Sequence, residues 1–148
     1  MAKRIARIAL EVLSLLVLLG TIIFLIINWK NIPAQVPNRW NGKGEITEWQ
    51  EKMILLFFPA IMAIIYVTMF FVKTVQFRSP GKTVRVYAPE LMFPILKLPL
   101  LSGLAYITVC SALIHPLGVW FFPAFFALVF IPLIVFSVIV LPKISNQA

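Results

Sequence analysis

The side chains able to do nucleophilic, acid–base or metal chemistry are few in this chain, and their spacing works against each role. It holds one histidine and one cysteine, His115 and Cys110. A zinc site of the usual kind draws on several such ligands, and a Cys/His dyad needs a further orienting partner. A step of five residues along a helix turns about 140° past a full revolution, so the two would stand on different faces. Cys110 reads as a small apolar packing residue, and His115, beside Pro116, as a polar cap on a tight turn. Neither a glycine-rich phosphate loop nor a pair of carboxylates occurs. These residues point away from an enzyme and call for no cofactor and no metal.

Two ionisable residues inside apolar stretches carry more weight, because charge in hydrocarbon is costly and tends to mark function. Glu11 follows Arg7 by four residues, which places both on one helical face and predicts a neutralised interfacial pair. The sharper reading is a polar contact from Glu11 to a neighbouring helix. Lys97 lies among Pro89, Pro94 and Pro99, a spacing that predicts a broken lead-in to a span, with the ammonium snorkelling to the headgroups. Glu11 and Lys97 together are the whole basis for a third and weaker reading, a homo-oligomeric transporter.

The elements that must position these residues follow from composition. The chain is 61% hydrophobic and 12% charged, with a mean hydropathy of +1.00, outside the range of soluble domains. A helix needs about 20 predominantly apolar residues to cross a bilayer. Residues 8–27, 53–72, 98–114 and 119–141 qualify, so the expected fold is an all-α integral membrane protein of four transmembrane helices in one polytopic domain, 1–148. None alternates with the period of a barrel strand. Lys3, Arg4 and Arg7 precede the first span as in an export signal, but the span is longer than a signal core, and we read it as a membrane helix.

Lys and Arg accumulate on the cytoplasmic side of short loops. Lys3, Arg4, Arg7, Lys73, Arg78, Lys82, Arg85, Lys97 and Lys143 fall on one side, against Lys30, Arg39, Lys43 and Lys52 on the other, which predicts both termini inside. The net charge of +8 is then met by anionic lipid and requires no nucleic acid. Ser14, Gly20, Ser102, Gly103 and Ala105 offer small-residue surfaces for close helix contact, within the chain or in a homo-oligomer. Trp120 and the phenylalanines of the last span suit a helix facing lipid or a partner better than a solute channel.

The polar segment 28–52 is the one stretch dense enough in special residues for specific recognition. Trp29 and Trp49 bracket it, as indoles do at a headgroup boundary. Pro33 and Pro37 predict an extended arm. Asn41, Gly42 and Gly44 predict a tight reversal, such as a hairpin tip. Thr47 with Gln50 fits a capping box that would start the second helix. Trp40 reads as a plug folded onto the helix ends, and Arg39, Lys43 and Lys52 as groups that attract acids.

This segment resembles the signature of the SdpI-type membrane proteins of bacteria, a bacteriocin-immunity family, which runs L/I-P-x-x-I/V-P-x-H-W-N-x-x-G-x-x-D-x-x-x-x-K. Pro33, Val36, Pro37, Trp40, Asn41, Gly44 and Lys52 stand at matching positions, whereas Arg39 replaces the His and Thr47 the Asp. The resemblance covers roughly residues 1 to 75, about half the chain. It implies a protein of the bacterial cytoplasmic (inner) membrane that binds, or shields against, an extracellular hydrophobic or antimicrobial toxin peptide, with immunity or signalling as the outcome. The alternative is a small accessory or assembly subunit of a larger membrane complex. In the first reading Trp40, Asn41, Gly44 and Trp49 shape the outer surface. A guanidinium at position 39 rules out metal ligation there.

Overall fold

The computed structural model describes residues 1–71, 74–79, 82–87 and 91–145, and in it the apolar stretches are four helices. These are α1 (Ala2–Asn28), α2 (Phe57–Phe71), α3 (Met92–Ala112) and α4 (Phe121–Ser145). Each is apolar and long enough to cross a membrane, α2 with the help of the 3₁₀ segment Lys52–Leu56 that runs into it. The chain is a multi-pass membrane protein. Two antiparallel hairpins join the helices: β1 (Gln35–Trp40) with β2 (Ile46–Glu51), and β3 (Thr74–Ser79) with β4 (Lys82–Tyr87). The first crowns the end of the bundle where the α3–α4 connection also arrives, as the bond from the Leu117 N–H to the Gly44 carbonyl shows. Lys73, Pro89 and Glu90 lie outside the described residues.

The centre of the bundle is α3, which packs on α1, α2, α4 and β1. It is the least hydropathic of the four, at 1.6 against 2.5 or more, and the most enclosed, with 39% of its span buried against none of that of α4. That ordering follows from the solvent. Lipid tails are as apolar as any core, so polar residues gain by facing other helices. Ser14, Thr21 and Thr108 are buried, and each returns its hydroxyl to the carbonyl four residues back, at 2.8, 2.8 and 2.7 Å. Leu18, Met62 and Leu101 form one apolar cluster, and Leu25, Ile32, Val36, Leu55 and Ala112 a second beneath the first hairpin. Gly103 leaves room for the ring of Phe125 against α3. Gly20, expected to permit a similar approach, has nothing near where a Cβ would stand.

Two expectations about element boundaries are corrected. The helix α3 begins at Met92, six residues before the expected span at 98, and no break precedes Lys97. Pro94 falls in its first turn, where N–H groups have no intrahelical partner to lose. Pro99 is carried inside the helix, where packing on three neighbours offsets the missing bond. Thr47 is not a helix cap: it lies within β2, opposite β1, and the helical segment starts only after Glu51, which makes no side-chain cap. Strand pairing satisfies the backbone of 46–51 across the hairpin, and a β-branched residue suits that conformation.

The α3 C-terminus holds a strained residue. The His115 N–H reaches the Cys110 carbonyl at 2.8 Å and the Ile114 N–H reaches Ser111 at 3.3 Å, a Schellman closure with Ile114 at φ 55°. Glycine is the usual occupant, because a β-branched side chain clashes in the left-handed region. Ile114→Gly is therefore expected to raise thermal stability in detergent by about 1 kcal/mol. An unchanged or lowered midpoint would remove strain as the reading of this turn.

Candidate functional site

The first hairpin is built outward from its turn. The Asn41 Oδ1 accepts from the N–H groups of Lys43 and Glu45 at 2.9 and 3.0 Å, and its Nδ2 donates to Glu45 Oε2 at 2.6 Å. Backbone bonds between Asn41 and Glu45 and between Gly44 and Asn41, both 2.9 Å, close the loop. Every polar atom of the Asn41 side chain is thus spent inside the turn. Gly44 is buried at φ +77°, and a Cβ there would stand 2.6 Å from the Gly118 carbonyl oxygen. Its own carbonyl accepts the Leu117 N–H at 3.0 Å. The tip is therefore docked on the α3–α4 connection rather than free in solvent.

The hairpin base is fixed as firmly. Val36 is fully buried with Leu25 and Leu55, and the Ser111 hydroxyl donates to the Pro37 carbonyl. Lys52 lies over the Trp29 ring, 5.1 Å from its centroid, with Nζ 3.4 Å from the Trp29 carbonyl. A cation suits that position, where the last carbonyls of α1 lack helical partners. Trp40 is half-buried, and its indole N–H is enclosed without an acceptor among the described residues. Arg39 stands opposite Glu48 and pairs with it at 3.0 Å, both largely exposed. Lys43 is exposed, and Trp49 is 49% exposed on β2. Of the expected loop residues, Trp40, Asn41, Gly44 and Lys52 are thus turned to holding the platform. Arg39, Lys43 and Trp49 remain on its outer surface.

At the other end of the bundle, Lys97 and Glu11 meet. Lys97 Nζ lies 2.5 Å from Glu11 Oε2, joining α3 to α1, with side-chain exposures of 0% and 16%. The ring centroids of Tyr66 and Phe70 on α2 are 4.3 and 5.9 Å from the ammonium. This corrects two expectations. Lys97 does not snorkel to the headgroups, and Glu11 makes its ion pair with Lys97 rather than with Arg7. A carboxylate and two aromatic faces replace the water that a snorkelling ammonium would seek. The contribution of Tyr66 and Phe70 could not be read from spacing, although a tyrosine within an apolar span carries a polar tip that needs a partner. Ser111, which bonds the Pro37 carbonyl, and Gly118, whose backbone Gly44 packs against, were likewise unmarked. His115 is exposed and Cys110 buried. Among the described residues no three His, Cys, Asp or Glu side chains gather as metal ligands would.

The hairpin with its two flanking half-helices is also where the chain meets known families. Residues 16–63 match the family model of a domain of unknown function, DUF1648. The match takes in the second half of α1, all of β1 and β2, and the first half of α2. No curated protein and no solved structure matches the chain.

Proposed function

We propose that the protein is an SdpI-like component of the bacterial cytoplasmic membrane whose first hairpin is an outward-facing platform for a hydrophobic toxin peptide, protecting the cell or reporting the encounter. The observation that carries this reading is the seating of the hairpin. Buried Gly44 and Val36 and the Ser111–Pro37 bond hold it on the helix ends, while Trp49, Arg39 and Lys43 face outward. A rigid exposed aromatic beside charge is the composition of a small binding hot spot. The role proposed is binding, with no catalytic step.

The orientation belongs to the same proposal. With Lys97 consumed in its ion pair, the sequence carries eight other basic residues in the N-terminal segment, the second connection and the C-terminal tail, Lys3, Arg4, Arg7, Lys73, Arg78, Lys82, Arg85 and Lys143, against four in the first connection. The excess marks the cytoplasmic side. Single cysteines at Lys43 and Lys82, in a Cys110→Ser background, are expected to react with an impermeant thiol reagent from opposite faces. Reaction at position 43 only after lysis would reverse the orientation.

The function is tested by expressing the protein in a sensitive bacterium and challenging it with the membrane-active peptides encoded near its gene. Tolerance should rise, and Trp49→Ala with Lys43→Ala should abolish it without lowering the amount of protein in the membrane. These two positions are chosen because Trp40 and Asn41 serve the fold of the turn. A second reading rests on α4, which has none of its span buried and carries a row of contacting rings from Phe121 to Phe130, stacked at Phe121–Phe125 and Phe122–Phe126 and tilted at Phe126–Phe130. A helix so exposed suits an accessory subunit docked on other membrane proteins. Fixed-stoichiometry co-purification with such subunits, and no protection against any peptide, would favour that role over immunity.

A further inference from the structure

We infer that the groove between α1 and α2, beneath the first hairpin, is a binding site for one anionic phospholipid, with an acyl chain in the groove and the phosphate on Lys52. The groove encloses about 350 Å³ and is lined by Ile22, Leu25, Ile26, Trp29, Leu56 and Pro59. From Ile22 to Trp29 it follows α1 for about 10 Å at the helical rise, running inward from the end that carries the hairpin. Apart from the Trp29 indole its lining is aliphatic, so it offers no partner for a peptide backbone, whose polar groups must be satisfied in hydrocarbon. An acyl chain makes no such demand.

The charge at the mouth selects the headgroup. Lys52 Nζ stands 5.1 Å from the centroid of the Trp29 ring, which itself lines the groove. Its protein acceptor is the Trp29 carbonyl at 3.4 Å, and among the described residues no carboxylate pairs with it, the adjacent Glu51 included. Lys97 and Arg39, by contrast, each have a glutamate. Lys30, exposed and next to Trp29 in the chain, adds a second positive charge at this end of α1. A phosphate complements this pair of ammonium groups. A zwitterionic lipid offers the same phosphate but brings its own cation, so the site should prefer an anionic headgroup.

The full chain, purified in mild detergent and incubated with equal amounts of phosphatidylglycerol and phosphatidylcholine of the same acyl composition, tests this by native mass spectrometry. Phosphatidylglycerol should be retained preferentially. Lys52→Gln, which removes one charge beside the phosphate, should reduce its retention about fivefold and lower that of phosphatidylcholine less. Ile26→Trp should displace both lipids by filling the groove. Ile26 is 70% exposed, so this variant does not disturb the core, and it decides the question even if Lys52→Gln fails to fold. Equal retention of the two lipids by the unmodified protein would overturn the site. So would an undiminished preference in Lys52→Gln, full lipid retention in Ile26→Trp, or a bound peptide that phosphatidylglycerol does not displace.

Discussion

Replacing Lys97 with methionine is expected to destabilise the bundle by about 3–5 kcal/mol, the usual cost of orphaning one member of a buried ion pair. The ammonium is fully enclosed, 2.5 Å from the Glu11 carboxylate and beneath the Tyr66 ring. Its loss leaves the Glu11 carboxylate among apolar helices without the ammonium it pairs with. Glu11→Leu should cost a comparable amount by leaving the ammonium alone. The double variant removes both charges, and should recover most of the loss, because a buried pair replaced by apolar groups of similar volume is often neutral. Thermal unfolding of the four proteins in one detergent supplies the cycle. If the two single effects simply add, Glu11 and Lys97 are not coupled, and the ion pair is not what fastens α1 to α3.

Gly44→Ala should loosen the hairpin, whereas Gly118→Ala should do little more than strain its own backbone. Both glycines adopt positive φ, +77° and +83°, so both substitutions incur the conformational cost of about 1–2 kcal/mol. Only Gly44 meets another backbone: its added carbon would stand 2.6 Å from the Gly118 oxygen, while nothing lies near the one added at Gly118. The tip must then lift and forfeit the Leu117–Gly44 hydrogen bond, for a total of about 2–3 kcal/mol. Limited proteolysis within 41–46 is the specific readout. Faster cleavage in Gly44→Ala than in Gly118→Ala is expected. Equal rates would mean that the tip is not held by the α3–α4 connection.

The parts legible in the sequence share a local physical origin. The reversal at Asn41 and Gly44 was readable because a side-chain amide that can bond its own backbone and a residue free to take positive φ define a turn within a few positions. The misreading of Thr47 arose from the same locality. Thr-x-x-Gln is a sound helix start in isolation, and it yielded to strand pairing because β1, held down by Val36 and Pro37, offered 46–51 a ladder. Lys97 was misplaced for a different reason. Lipid and bundle interior are equally apolar, so the hydropathy of a span does not reveal which face meets a neighbour.

By itself the sequence determined the solvent and the four membrane helices: a bilayer demands about 20 apolar residues for each crossing, and four stretches meet that demand. It also placed the polar turn between the first two of them. The tertiary structure alone decided which groups meet. Glu11 and Lys97 are 86 residues apart, and Ser111 and Pro37 are 74 apart. Gly44 finds Gly118 only because the α3–α4 connection returns to the hairpin's end of the bundle. Such pairings depend on the rotation and depth of packed helices, which close packing sets through many weak contacts at once, and no short run of residues encodes them.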